Sequence, residues 1–227
     1  MVYWVPKTAK MFQTAFLKSS LLTIAFFSIG CQKETGQRLP YYNSPDFTPI
    51  FLESQNGIHD NVSHTIGDFS FKDQNDRIIN QKDIDGKIHV ANFFFTSCGV
   101  ICPRMTNNMK LVEKAFLNNK NLVILSYSVT PWIDNVAQLK KYVWAKGIQS
   151  KNWHFLTGSK SEIYQLARQS YFAEEELGFS KDSTEFLHTE HCLLVDKHRH
   201  IRGIYNGTLE LEMQQLIADI KTLEQEN

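Results

Sequence analysis

Apolar and polar positions follow two rhythms along this chain, and those rhythms predict most of its elements. His89-Val-Ala-Asn-Phe-Phe-Phe95 and Leu122-Val-Ile-Leu-Ser-Tyr-Ser-Val129 are nearly continuous apolar runs, the pattern of strands buried on both faces. Trp153-His-Phe-Leu156 is a shorter run of the same kind. Cys192-Leu-Leu-Val195 and Ile201-Arg-Gly-Ile-Tyr205 form a pair joined by the polar stretch Asp196 to His200. Phe69-Ser-Phe71 and Arg77-Ile-Ile79 flank the turn Lys72 to Asp76 and predict a hairpin. Elsewhere the apolar spacing is helical. It runs through Met105, Met109, Val112 and Phe116, then Val136, Leu139 and Val143, then Ile163, Leu166 and Ala167. Leu209, Met213, Leu216, Ile217 and Ile220 mark a closing helix.

A buried strand, a helix and a second buried strand make a βαβ unit, which requires parallel pairing through a right-handed crossover. The closing hairpin adds antiparallel strands. The order predicts an α/β, thioredoxin-like fold over residues 65–227: a central mixed sheet flanked by helices, with an N-terminal β-hairpin extension and one extra helix in the middle.

The start of the chain follows neither rhythm. Residues 1–30 carry Lys7, Lys10 and Lys18 and no acid, and lead into the apolar run Leu21 to Ile29. That run is shorter than the ~20 residues a spanning helix needs, and matches a signal-peptide core. Gly30 followed by Cys31 resembles a bacterial lipoprotein processing site, so Cys31 is expected to be lipidated, although Ser28 replaces the usual leucine. Residues 31–64, with Pro40, Pro45, Pro49 and Gly57, read as a tether. The chain is thus expected to be exported and membrane-tethered in the bacterial cell envelope, facing the periplasm. Without residues 1–30 it holds 21 Lys/Arg against 24 Asp/Glu. It has no basic stripe, which argues against nucleic acid as a partner.

The chemistry concentrates at Cys98-Gly-Val-Ile-Cys102-Pro103, between the first buried strand and its helix. Proline is tolerated in a first helical turn, where its missing N–H would be unpaired anyway. Cys102 is therefore expected near the N-cap and Cys98 in the approach loop. Unpaired N–H groups and the helix dipole stabilise a thiolate there. The pair can close a disulfide or clamp one soft ion, since two thiolates select Cu(I), Zn(II) or iron–sulfur chemistry. Zinc normally takes four ligands, whereas Cu(I) accepts fewer. A further ligand is expected from among eight histidines. His188 is the best placed: it follows the irregular stretch Gly178 to Leu187 and just precedes the strand Cys192 to Val195. Cys192, Met105 and Met109 are expected in the core, with His191 beside it, and His198 and His200 on a solvated turn. These residues alone leave a structural disulfide, a redox pair and a soft-metal clamp open. All six prolines lie at or before Pro131, so the late proline that faces the cysteines of thioredoxin-like reductases is missing, and His188 stands there instead.

The motif Phe95-Thr-Ser-Cys98-Gly-Val-Ile-Cys102-Pro-Arg-Met105 resembles the CxxxCP signature of the Sco/SenC family. Ser126 to Pro131 with Asp134 and Leu139 to Tyr142, then Phe155 to Gly158, then His188-Thr189 with Leu194-Val-Asp196, resemble further ordered blocks of that family. The similarity spans roughly residues 66–220. It implies a copper metallochaperone that assists assembly of the copper centre of cytochrome c oxidase, or of another envelope cuproprotein. It implies one copper per chain, as Cu(I) or Cu(II), on Cys98, Cys102 and His188, with thiol–disulfide activity at the same cysteines. A thiol–disulfide oxidoreductase is the rival reading. Three positions depart from the family: the loop interior Gly99-Val100-Ile101, Thr130 before Pro131, and Leu187 before His188, where many members carry acids. Fewer acids weaken Cu(II) more than Cu(I), because hard oxygen donors favour the dication.

Overall fold

The computed structural model describes residues 38–173 and 189–226. The hairpin comes first: β1 (Ser70–Lys72) and β2 (Ile78–Asn80) pair antiparallel, with Phe71 opposite Ile79. A single helical turn, α1 (Ile58–Asn61), precedes it, and α2 (Gln81–Ile84) follows, opened by a capping box between Asn80 and Asp83.

The main sheet is built on β3 (Ile88–Phe94), whose seven residues are all buried. It pairs parallel with β4 (Leu122–Ser128) and antiparallel with β6 (His191–Val195). β5 (Trp153–Leu156) extends the sheet beyond β4, and β7 (Ile201–Asn206) extends it beyond β6, giving the order β5-β4-β3-β6-β7. This is the mixed, thioredoxin-like sheet that the apolar runs predict.

Side chains alternate across it with a period of two. Val90 and Phe94 of β3 and Cys192 and Leu194 of β6 face one layer. That layer is formed by α3 (Ile101–Ala115), α4 (Val136–Lys146) and α6 (Glu210–Gln225), which contribute Met105, Met109, Leu139, Met213 and Leu216. Ala91, Phe93, Leu193 and Val195 face the other layer, with the hairpin residues Phe71 and Ile79 and with Ile163 and Tyr164. The hairpin is fastened to the end of β5 by a pair of backbone hydrogen bonds between Lys72 and Thr157. Its Phe71 ring lies over Gly158, where an added Cβ would come within 2.6 Å of the ring. Only glycine leaves room for that lid.

Two elements carry detail beyond the apolar pattern. The helix through Ile163, Leu166 and Ala167 is α only over α5 (Lys160–Gln165), and widens into a π turn over Leu166–Ser170. Within the segment read as a tether up to residue 64, the described residues also make specific contacts with the domain. The described residues from 38 onward belong to one compact unit. Tyr42 bridges to Ile201, and the buried Arg202 donates to the carbonyls of Leu39 and Pro40 and lies 3.9 Å from the Tyr41 ring centroid. Arg202 also pairs with Asp196 and Glu226, so a guanidinium that would be costly to bury alone is fully matched. The same cluster draws His200 out of solvent: it lies near Asp196 and edge-on to Tyr41.

Candidate functional site

The parallel arrangement of β3 and β4 sends both strands out at the same end of the sheet, and the cysteine loop leaves from there. Phe94 ends the strand, Thr96 and Ser97 turn, and α3 begins at Ile101. Its N-cap is Val100, which offers no side-chain acceptor to the first-turn N–H groups. Ser, Thr, Asp or Asn would normally fill that role. Here sulfur does so: the Cys102 N–H donates to Cys98 Sγ at 3.3 Å. Pro103, in the first turn, removes one donor that would otherwise need a partner.

This geometry makes the two cysteines unequal. Cys98 is half-buried and Cys102 is 5% exposed. Burial opposes ionisation of Cys98, but the N–H groups of Cys102, Val100 and Ile101 together with the Cys102 thiol outweigh it, so its pKa lies below the ordinary thiol value. Cys102 is pushed up to about 12, chiefly by burial and further by donating to its neighbour. Negative charge therefore settles first on Cys98, the more exposed sulfur.

The other candidates separate cleanly. Met105 and Met109 are fully buried, and so is Cys192, whose thiol sits 3.6 Å from Met109 Sδ with its pKa raised to about 12 by burial. All three belong to the core. His188 and Cys31 lie outside the described residues. Among the described residues no group of three His, Cys, Asp or Glu side chains is arranged to hold a metal. β6 runs antiparallel to β3 with Cys192 opposite Asn92, so β6 begins at the end of the sheet from which the cysteine loop departs.

One feature of the site escaped the sequence reading. Asp134, noted only as part of a motif block, is fully buried directly behind the loop. It accepts from the Thr96 N–H at 3.1 Å, from the Thr96 hydroxyl, from Ser128 Oγ at 2.6 Å and from Thr130 Oγ1 at 3.0 Å. The hydroxyls of Thr96, Ser128 and Thr130, each near a strand end, were the available signal.

Around the pair the surface is apolar. Val100 is 76% exposed, and Ile101, Trp132 and Ile133 are also open to solvent. The exposed loop interior is thus hydrophobic, as the Gly-Val-Ile sequence implies.

Comparison with known proteins places this geometry. The SCO1/SenC family model matches residues 59–225. A SCO1 protein homolog of Bacillus subtilis is 32% identical over 167 residues, covering 73% of this chain and 86% of its own. The structure of BsSco, described as a member of the Sco family of cytochrome c oxidase assembly proteins with a disulfide switch, superposes with a TM-score of 0.61 at 28% identity, covering 73% of this chain and 96% of that one. ScoI of Bradyrhizobium japonicum, solved with copper bound, shares the fold at a TM-score of 0.56 and 23% identity, covering 71% of this chain and 99% of that one. The family match takes in the hairpin, the whole main sheet and both cysteines at the head of α3, and the chain belongs to the SCO1/SenC family.

Proposed function

We propose that this chain is a copper metallochaperone that serves assembly of the copper centre of a cytochrome c oxidase. The observation that carries the reading is the half-buried Cys98 sulfur, which caps the first turn of α3 beside Cys102. Two neighbouring thiols, one readily ionised, make a soft donor set suited to Cu(I). His188 is the proposed third ligand, and an imidazole would extend the set towards Cu(II). Copper is the cargo here: it is held by side chains at a loop where a partner can reach it. The apolar loop, with no acid among Gly99, Val100 and Ile101, favours Cu(I) over Cu(II).

The unequal pair also supports a second reading, in which Cys98 attacks a disulfide of the partner and Cys102 resolves it. Copper delivery and thiol reduction would then share one site. We propose further that residues 1–30 direct export and that Cys31 is lipidated, which would hold the protein at the envelope membrane with its domain facing the periplasm. Among the described residues no helix is long and apolar enough to cross a membrane.

The test is a copper titration of the reduced full-length protein in detergent. One copper per chain is expected, and His188→Ala is expected to lower Cu(II) affinity at least tenfold and change the Cu(II) spectrum. An unchanged spectrum would remove His188 from the ligand set. Brisk reduction of insulin disulfides by a protein that binds no copper would hand the site to the oxidoreductase reading.

A further inference from the structure

Asp134 is a carboxylate with no exposure, and every donor it meets is uncharged: one backbone N–H and three hydroxyls. Burying a carboxylate without a cation is costly unless its lone pairs are filled. Four donors fill them. A neutral residue could close this part of the core at less cost, so the contacts themselves indicate what the carboxylate is for.

Those contacts join three segments. Thr96 lies two residues before Cys98, Ser128 ends β4, and Thr130 lies in the loop before α4. Gln138, in the first turn of α4, donates to Thr96 Oγ1 at 3.1 Å, so this hydroxyl is engaged both as donor and as acceptor. Thr96 is thus held at its N–H and on both sides of its hydroxyl, while Ser97, Gly99 and Val100 beyond it are exposed.

We propose that Asp134 is the positioning residue of the cysteine loop: by clamping Thr96 to the end of β4 it fixes how closely Cys98 approaches Cys102. The proposal rests on the reading of these two cysteines as the working pair. Asp134 touches neither sulfur in a hydrogen bond and acts through Thr96.

The closeness of two thiols can be measured directly. When glutathione disulfide oxidises the pair, the two protein thiols lose two electrons and two protons and form one S–S bond, and one glutathione disulfide becomes two glutathione thiols. The equilibrium constant is the effective concentration of one protein thiol at the other. Loosening the loop lowers that concentration without touching either cysteine.

The experiment equilibrates the copper-free full-length protein in detergent with glutathione buffers and measures the oxidised fraction. Asp134→Ala removes every contact, Asp134→Asn keeps one acceptor, and Thr96→Val removes only the hydroxyl arm. Ile163→Val, a buried substitution in the opposite layer, controls for loss of stability. The expected constant falls at least tenfold in Asp134→Ala and about threefold in the milder pair, and stays at the parent value in the control. If Asp134→Ala does not fold, the milder pair decides. Parent-like constants in folded Asp134→Asn and Thr96→Val overturn the proposal, as does an equal fall in the control. A parent that forms no Cys98–Cys102 disulfide at any glutathione ratio sinks the working-pair reading and this proposal with it.

Discussion

Two sulfur pairs are built around the same helix and have opposite fates. At the head of α3, Cys98 Sγ accepts the Cys102 N–H. Two turns further along, Met109 presents Sδ to the Cys192 thiol at 3.6 Å. The sulfur chemistry is similar, but the surroundings differ. The first pair lies where a helix leaves donors unpaired, with one sulfur half-open to solvent. The second lies mid-helix, where every backbone N–H is used, and both its residues are fully buried. Burial alone raises the Cys192 pKa to about 12, and no donor offsets it. Helix position therefore decides which sulfurs stay reachable and readily ionised and which become packing.

The sharpest way to break that contrast is to remove one sulfur from each pair. Cys98→Ser is expected to weaken Cu(I) binding at least ~1000-fold, about 4 kcal/mol. Cys192→Ala should leave it within about threefold while lowering thermal stability. Competition against a Cu(I) chelator measures both. Loss of copper on Cys192→Ala would bring the buried thiol into the site and erase the distinction.

Imidazoles extend the comparison. His89, on β3, is the nitrogen counterpart of Cys192: burial holds it uncharged, with its pKa lowered to about 3. Asp196 opposes that shift and Arg199 adds to it. Its Nε2 lies 3.1 Å from the Tyr171 hydroxyl, and its Nδ1 is buried with no partner. The unfolded chain binds a proton at an ordinary histidine pKa near 6.5, but the folded chain resists until about pH 3. Stability is therefore full above pH 6.5 and drains away between pH 6.5 and 3, with about 2 kcal/mol gone by pH 5 from His89 alone. His154, also lowered chiefly by burial, adds in the same direction. Urea midpoints at pH 7 and pH 5 check this, and equal midpoints would mean that His89 is not held neutral by the fold.

The contrast also shows what a linear sequence can carry. The strands were legible because β3 and β4 are buried on both faces, which writes seven consecutive core residues into the chain. The cysteine pair was legible because its spacing and the following proline are local signals. Asp134 was not, because its role depends on Thr96, 38 residues away, and an acidic residue in a loop ordinarily reads as solvated. The anchoring of residues 39–42 was hidden for the same reason. Arg202 reaches Leu39 across 163 residues, and the prolines and asparagines around that anchor read as a linker. Local periodicity reports layers, while single polar partnerships across the fold leave no periodic trace.

The smallest expected effect separates the two members of the surface pair from each other. Thiolates react with iodoacetamide and thiols do not. Cys98 lies below the ordinary thiol pKa because the backbone donors of the first turn and the Cys102 thiol outweigh its burial, whereas Cys102 and Cys192 both lie near 12. In reduced, copper-free protein at pH 8, peptide mapping should find Cys98 alkylated more than tenfold faster than Cys102, and Cys192 untouched until urea unfolds the domain. Raising the pH should saturate the Cys98 rate before the Cys102 rate begins to climb. Equal rates at Cys98 and Cys102 would mean that the N–H of Cys102 does not single out one sulfur. The head of α3 would then hold two equivalent thiols, and the order of attack and resolution in any disulfide exchange could not be assigned from helix position.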